Sequence, residues 1–323
     1  MTRFAEKLAR IRAGNYSRAD FMIADAKDGD MGPSIPASGM NRTAGRFNTR
    51  AEFLDNIAAI VAQDIVDIML VSASNLEALI ARDAFSGSRV KPAIRANDTT
   101  DIWVGRGAVY AQSPSRPYRT ASTRPDLRHT DLGLYSVTFN NDLDADYASL
   151  HAFSDFVAEA HDNGFTYFLE VFNPNVATGI DPELQPHYVN DCIVRALAGL
   201  TKAERPQFLK IAYNGPRALE ELASWDPGLV VGVLGGGAGT TRDTFELLHQ
   251  AEKYGARVAL FGRKINLAED PLAIVGLMRA VADGDVQPEE AVRAYHGGLQ
   301  TAGISPMRAL DDDLQITEKV LKG

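Results

Sequence analysis

The sequence predicts a (β/α)₈ barrel, and three observations carry that prediction. Eight short apolar segments between Phe21 and Ile265 are each followed by a stretch of helical periodicity or a turn, which is the pattern of a parallel sheet with crossover helices. Several of the segments stop abruptly at ionisable or glycine residues, as barrel strands do where their C-terminal ends open into a site. The chain, 323 residues long, holds one barrel of about 250 residues with extensions. The expected organisation is a single domain over residues 1–323, with a barrel core at about 21–299, an insertion-like loop at 99–131 and a C-terminal extension at 300–323.

In chain order, Phe4, Leu8 and Ile11 fall on one helical face, expected either to close the bottom of the barrel or to form a subunit contact. The first strand, in FMIADAKDGDMG (21–32), runs into Asp25, Lys27, Asp28 and Asp30. A loop over 33–50 follows, with Arg42 and Arg46 in reach of an anion, and then a helix opened by a Thr49–Glu52 capping box. VDIMLVSAS (66–74) is the second strand and leads into a helix over 75–85; KPAIRAND (91–98) is the third, with Arg95 near its end. The 99–131 segment is the most basic part of the chain, with Arg106, Arg116, Arg119, Arg124 and Arg128. It reads equally as a clamp for a phosphorylated ligand or a subunit-contact arm. LGLYSVTFNN (132–141) is the fourth strand and carries Tyr135; FTYFLEVFNPN (165–175) is the fifth and buries Glu170.

The sixth strand, in QFLKIAYNGP (207–216), holds one lysine, Lys210, between Leu209 and Ile211. An ammonium in an apolar strand costs several kcal/mol to desolvate, by rough estimate, so it demands a counter-charge or a reason to be neutral. A neutral lysine amine is a nucleophile for carbonyl carbon. Glu170 on the neighbouring strand supplies the counter-charge of an ion pair, or the partner of an acid/base pair. VVGVLGGGAG (230–239), the seventh strand, runs into Gly235, Gly236 and Gly237, and VALFGRKI (258–265), the eighth, into Gly262 and Arg263. Loops after strands seven and eight, with a helix N-terminus, are a common phosphate site in barrels.

Composition narrows the function. The protein has 45% hydrophobic and 23% charged residues and a net charge of -9, with no basic stripe, which argues against a nucleic-acid partner. No window is long and apolar enough for a membrane span. MTRFAEKLARIRAG (1–14) is amphipathic and charged rather than a basic patch followed by an apolar run, so it lacks the layout of a secretory signal and a cytoplasmic location is expected. The one cysteine, Cys192, cannot form an intramolecular disulfide, and the six histidines are scattered singly, so no metal or other cofactor is expected.

Lys210 on strand six, the glycines after strand seven and Gly262–Arg263 after strand eight resemble the metal-independent class I aldolases of the barrel superfamily. That superfamily includes the archaeal-type fructose-bisphosphate, tagatose-bisphosphate and deoxyribose-phosphate aldolases. The resemblance spans about 21–299 and is specific from strand five to strand eight; ADAKDGDMG departs from the aspartate-histidine-glycine pattern of the archaeal-type group. It implies a Schiff base at Lys210, with Glu170, Tyr135 and Asp25 as the acid/base candidates. A sugar phosphate is expected on Gly235, Gly236, Gly237, Gly262 and Arg263. Lys27 or Arg95 would contact substrate or depress the lysine pKa by like-charge repulsion. The expected function is cleavage or formation of a carbon–carbon bond in a phosphorylated ketose, by a homo-oligomer. The alternatives are acyl or ketol transfer through the same Schiff base, and a non-catalytic phosphosugar-binding barrel.

Overall fold

A computed structural model describes residues 2–237 and 239–322. Ala238, inside the glycine-rich run, and the two terminal residues lie outside the described residues. Eight parallel strands close into a barrel: β1 (Met22–Lys27), β2 (Ile68–Val71), β3 (Lys91–Arg95), β4 (Leu132–Thr138), β5 (Thr166–Phe172), β6 (Leu209–Ile211), β7 (Val231–Leu234) and β8 (Val258–Phe261). Each pairs with its sequence neighbours, and β8 closes onto β1. The (β/α)₈ architecture and all eight strand positions agree with the sequence reading.

The lower barrel interior is apolar, with Met22, Ile68, Leu70, Leu134, Phe168, Phe208 and Val258 buried together. Phe168 and Phe208 stack with centroids 4.5 Å apart and form a floor two residues below Glu170 and Lys210. The N-terminal helix α1 (Arg3–Arg12) closes this end, its Phe4, Leu8 and Ile11 packing into the same cluster. Two cations of α1 anchor it: Arg3 Nε and Lys7 Nζ reach the fully buried Asp67 at 2.9 and 3.0 Å. Of the two roles expected of this face, closing the barrel is the one it fills.

Around the outside run α2 (Arg50–Gln63), α3 (Ala73–Ile80), α4 (Leu143–Asp162), α5 (Gln185–Leu197), α6 (Pro216–Trp225) and α7 (Thr241–Lys253). After β8 come the single-turn α8 (Arg263–Asn266), then α9 (Pro271–Asp283) and α10 (Pro288–Thr301). The Thr49–Glu52 capping box forms as expected, with Thr49 N–H donating to Glu52 Oε2 at 2.7 Å. Among the described residues no helix is long and apolar enough to cross a membrane.

Two segments expected to be loops contain structure. Met40–Asn41 pairs antiparallel with Arg46–Phe47 as a small hairpin in the 33–50 segment. Asn97–Thr99 pairs with Pro117–Arg119 above β3, so the expected third strand is two strands parted at Ala96. This second hairpin is fastened to β4 by the Asn97 side chain, which donates to Ser136 O and accepts from Ser136 N–H at 2.8 and 2.6 Å.

Three of the five arginines of the insertion are held by neighbours. Arg119 pairs with Glu159 on α4, Arg124 with Asp126, and Arg128 donates to the carbonyls of Thr123 and Gly164. Arg106 and Arg116 are exposed. What the insertion brings to the cleft is Asp101, Ile102 and Val104. The C-terminal extension packs across the start of α7, where Thr317 Oγ1 donates to Asp243 Oδ2 at 2.5 Å.

Candidate active site

At the C-terminal end of the barrel the inward positions change from apolar to ionisable. Ser136, Glu170 and Lys210 stand side by side on one rung of β4, β5 and β6, with Gly232 of β7 beside the lysine. Paired residues on parallel strands point to the same face, so the rung brings the three side chains together inside the barrel. Lys210 Nζ lies 2.5 Å from Glu170 Oε1. Ser136 Oγ donates to the other carboxylate oxygen at 2.7 Å and accepts from Arg95 Nη2 at 3.0 Å.

Arg95 is the hub of the network. Its guanidinium also meets Asp28 at 2.7 Å, Asp98 at 3.3 Å and Glu170 at 3.6 Å, and its Nε donates to Asn97 O. Burial works against its charge, but Asp28, Glu170 and Asp98 outweigh it and hold the guanidinium ionised. Burial pushes the Asp98 carboxyl up to about 6, with Arg95 opposing and Asp28 adding to the rise.

These groups open into a cleft of about 550 Å³ lined by Asp28, Arg95, Glu170 and Lys210 on one side and Gly235, Gly236, Gly262 and Arg263 on another. A concave, mostly apolar pocket with a few convergent polar groups is the usual form of a small-molecule site. Gly262 is required by close approach, since a Cβ there would lie 2.6 Å from the carbonyl oxygen of Ala26 on β1. Arg263 reaches back over the loop to donate to Gly236 O at 3.0 Å. Gly237 falls outside the lining, exposed and next to the Glu318 carboxylate. At the α7 N-terminus three backbone donors are already taken, Asp243 N–H by Thr240 Oγ1 at 3.0 Å and two by carboxylates. Thr240 N–H donates to Asp243 and Thr241 N–H to Asp313, both at 2.8 Å.

Three residues expected at the site stand elsewhere, all for one reason. Tyr135 is on the outward face of β4, its ring stacked on Phe156 of α4 at 4.3 Å and tilted against Phe153. Burial raises its phenol well above the usual value. Asp25 and Lys27 are likewise on the outward face of β1, in register with Met69 and Val71 of the strand–helix layer. They form a buried ion pair at 3.2 Å behind the barrel wall. Burial pushes Asp25 up to about 6 against the opposing pull of Lys27, and burial lowers Lys27. Lys27 also donates to Asn266 Oδ1, so it touches the cleft only through a side chain that lines it.

The inward residues in their places are Ser136 and Asp28, together with Asp98 and Lys264, none of which the sequence reading singled out for chemistry. Stepping by two from the inward Met22 and Ala24 leads to Ala26 and Asp28, and this parity was the available signal. Lys264 donates to the carbonyls of Gly239 and Thr240 at the rim of the cleft. No side-chain periodicity marks it.

No family model matches the sequence, and no curated protein matches it. Solved structures do match. An archaeal fructose-1,6-bisphosphate aldolase, determined with its catalytic lysine covalently bound to the carbinolamine intermediate of the substrate, superposes with a TM-score of 0.59 at 17% identity, covering 87% of this chain and 100% of that one. The barrel is similar in fold to Schiff-base aldolases. A Schiff-base-forming fructose-1,6-bisphosphate aldolase gives a TM-score of 0.60 at 19% identity over 87% of this chain and 98% of its own. Cgl0159 from Corynebacterium glutamicum gives 0.56 at 19% identity over 88% and 98%. Sequence identities this low carry the fold across, and the chemistry has to be argued from the residues of this chain.

Proposed function

We propose that the protein is a metal-independent class I aldolase that makes or breaks a carbon–carbon bond in a phosphorylated ketose through a Schiff base at Lys210. The observation that carries the reading is the contact between Lys210 Nζ and Glu170 Oε1 on the cleft floor. An amine that must add to a carbonyl and then lose water needs a proton acceptor and donor within hydrogen-bond reach. Glu170 supplies both functions, held in orientation by Ser136 and Arg95.

In the cleavage direction the Lys210 ammonium first gives a proton to Glu170, and the free amine adds to the ketose carbonyl carbon. The resulting alkoxide takes that proton to become the carbinolamine hydroxyl, and nitrogen then gives a second proton to Glu170. The carbinolamine hydroxyl leaves as water, taking a proton from Glu170, and an iminium remains. A carboxylate then removes the proton of the hydroxyl two carbons away. The intervening carbon–carbon bond breaks, its electron pair entering the iminium to give an enamine while an aldehyde departs. Protonation of the enamine carbon and hydrolysis return the free lysine. Glu170, Asp28 and Asp101 are the carboxylates lining the cleft, with Glu170 in contact with Lys210. The phosphate is assigned to the side bounded by Gly235, Gly236, Gly262 and Arg263, where glycines leave room for an anion against the backbone and a guanidinium adds charge.

The test is borohydride reduction in the presence of dihydroxyacetone phosphate, followed by peptide mass mapping. A reduced adduct on Lys210, lost in Lys210→Ala, is expected. The tightness of the Lys210–Glu170 pair also supports a second reading, a phosphosugar-binding barrel in which the lysine is only a counter-ion. Phosphate-ligand binding with no adduct on Lys210 would establish that second reading and end the first.

A further inference from the structure

A second cavity, of about 370 Å³, lies on the other side of α8 from the cleft. Arg263, Lys264, Asn266 and Leu267 line both, whereas Asp28, Arg95, Glu170 and Lys210 line only the cleft. The two spaces are therefore separated by one helical turn, and the second shares with the proposed site only its phosphate-side Arg263.

Its charges are unbalanced in a specific way. Four cationic side chains line it from three parts of the chain: Arg42 from the Met40–Phe47 hairpin, Arg263 and Lys264 from α8, and Arg308 from the segment after α10. Two carboxylates also line it, but both are already engaged. Glu269 accepts from Met307 N–H at 2.6 Å and from Tyr295 Oη at 3.0 Å. Asp313 accepts from Thr241 N–H at 2.8 Å and contacts His296 Nε2 at 3.0 Å. Arg308 lies 3.9 Å from Asp313, and the exposed Arg42 has no hydrogen bond or ion pair among the described residues. Lys264 Nζ donates to the carbonyls of Gly239 and Thr240, and burial, followed by the repulsion of Arg308, pushes its amine down to about 8 against the pull of Asp313, Asp243 and Glu318. The remaining wall is apolar, with Met40, Ile274 and Met307.

We infer that this cavity is a second anion site, which takes a small phosphorylated or carboxylated molecule with an apolar body, its charged end on Arg42, Arg263 and Lys264. Guanidinium and ammonium donors arriving from separate elements suit a multi-oxygen anion, and the Met40, Ile274 and Met307 wall suits a hydrocarbon or ring. Arg263 and Lys264 face both spaces, so occupancy here bears on the anion side of the cleft. The inference does not depend on the aldolase reading.

Calorimetric titration of the full chain with phenyl phosphate tests it. Arg42→Ala and Met307→Asp change residues that line only this cavity, and Arg42 has no partner whose loss would unfold the protein. One phenyl phosphate site is expected to weaken about fivefold or more in Arg42→Ala, to recover in part in Arg42→Lys, and to be lost in Met307→Asp. That pattern supports the site whether or not the cleft binds phosphate as well. Absence of phenyl phosphate binding, or binding that neither variant alters, would overturn it.

Discussion

Lys210 and Glu170 face each other across adjacent parallel strands, in register and with 2.5 Å between amine and carboxylate. The pair sits above the stacked rings of Phe168 and Phe208 and is continued sideways by Ser136, Arg95 and Asp28. A buried charge pair embedded in such a network holds its geometry because every departure strands a charge.

The first prediction separates positioning from proton transfer. Glu170→Gln keeps the side-chain shape and a hydrogen-bonding group beside Lys210 but removes the carboxylate. Turnover of a phosphoketose substrate is expected to fall by about 10²- to 10⁴-fold, the usual contribution of a general acid/base. Substrate binding, measured separately by equilibrium titration, should change little. A variant with full turnover would remove Glu170 from the proton path.

The outward placement of Tyr135 leads to the second. Tyr135→Phe preserves the stack on Phe156 and Phe153 and is expected to leave both turnover and stability near wild type. Tyr135→Ala should cost about 3–5 kcal/mol in urea unfolding, as large-to-small changes at buried aromatics do. A loss of turnover in the stable Phe variant would return the phenol to the chemistry.

Tyr135 also shows where the sequence stopped being informative. The eight strands and the crossover helices were legible because their spacing repeats, and Lys210 stood out as a single charge among apolar neighbours. Facing was not legible. A barrel strand is buried on both faces, so Leu132–Thr138 shows no apolar–polar alternation to reveal which side faces inward, and in Met22–Lys27 the alternate polar residues Asp25 and Lys27 face the helix layer rather than the site. Which of Tyr135 and Ser136, or of Asp25 and Asp28, faces inward is settled only once one residue of the strand is known to point inward. The contributions of Asn97 and Asp98 depend on a hairpin closed by Pro117–Arg119, a pairing across a long loop that no local periodicity encodes. The arginines of that loop were read as a charge cluster, but several find partners on α4 or nearby carbonyls, and only three-dimensional placement could show it.

Behind the wall, the Asp25–Lys27 pair supports a third prediction. Neither carboxylate oxygen of Asp25 has a hydrogen-bond partner, and Lys27 is its ion-pair partner at 3.2 Å. Lys27→Met should destabilise the fold by about 3–5 kcal/mol because it leaves a buried carboxylate without its counter-charge. The double variant Asp25→Leu/Lys27→Met should recover most of that loss, since a buried pair exchanged for apolar groups is often near neutral. Urea titrations of the two variants compare them directly. Equal destabilisation would mean that the contact from Lys27 to Asn266, not the charge of Asp25, is what matters.

Asp98 gives a prediction in pH. Its carboxyl is raised from 3.8 to about 6 in the fold, first by burial. A group raised in this way stabilises the folded chain while protonated, so its contribution is complete below about pH 4 and disappears as pH rises through 6. Asp98→Asn cannot titrate and lacks that slope. The stability of wild type relative to Asp98→Asn should therefore fall between pH 4 and pH 7, by on the order of 2 kcal/mol. Taking the difference between the two proteins cancels the titration of Asp25 and other carboxyls common to both. Arg95 sets the limit of the effect, because at neutral pH the ionised Asp98 is one of three carboxylates gathered around one guanidinium. A relative stability that is flat from pH 4 to pH 7, or that rises, would mean that the attraction of Arg95 outweighs the cost of burying the carboxylate.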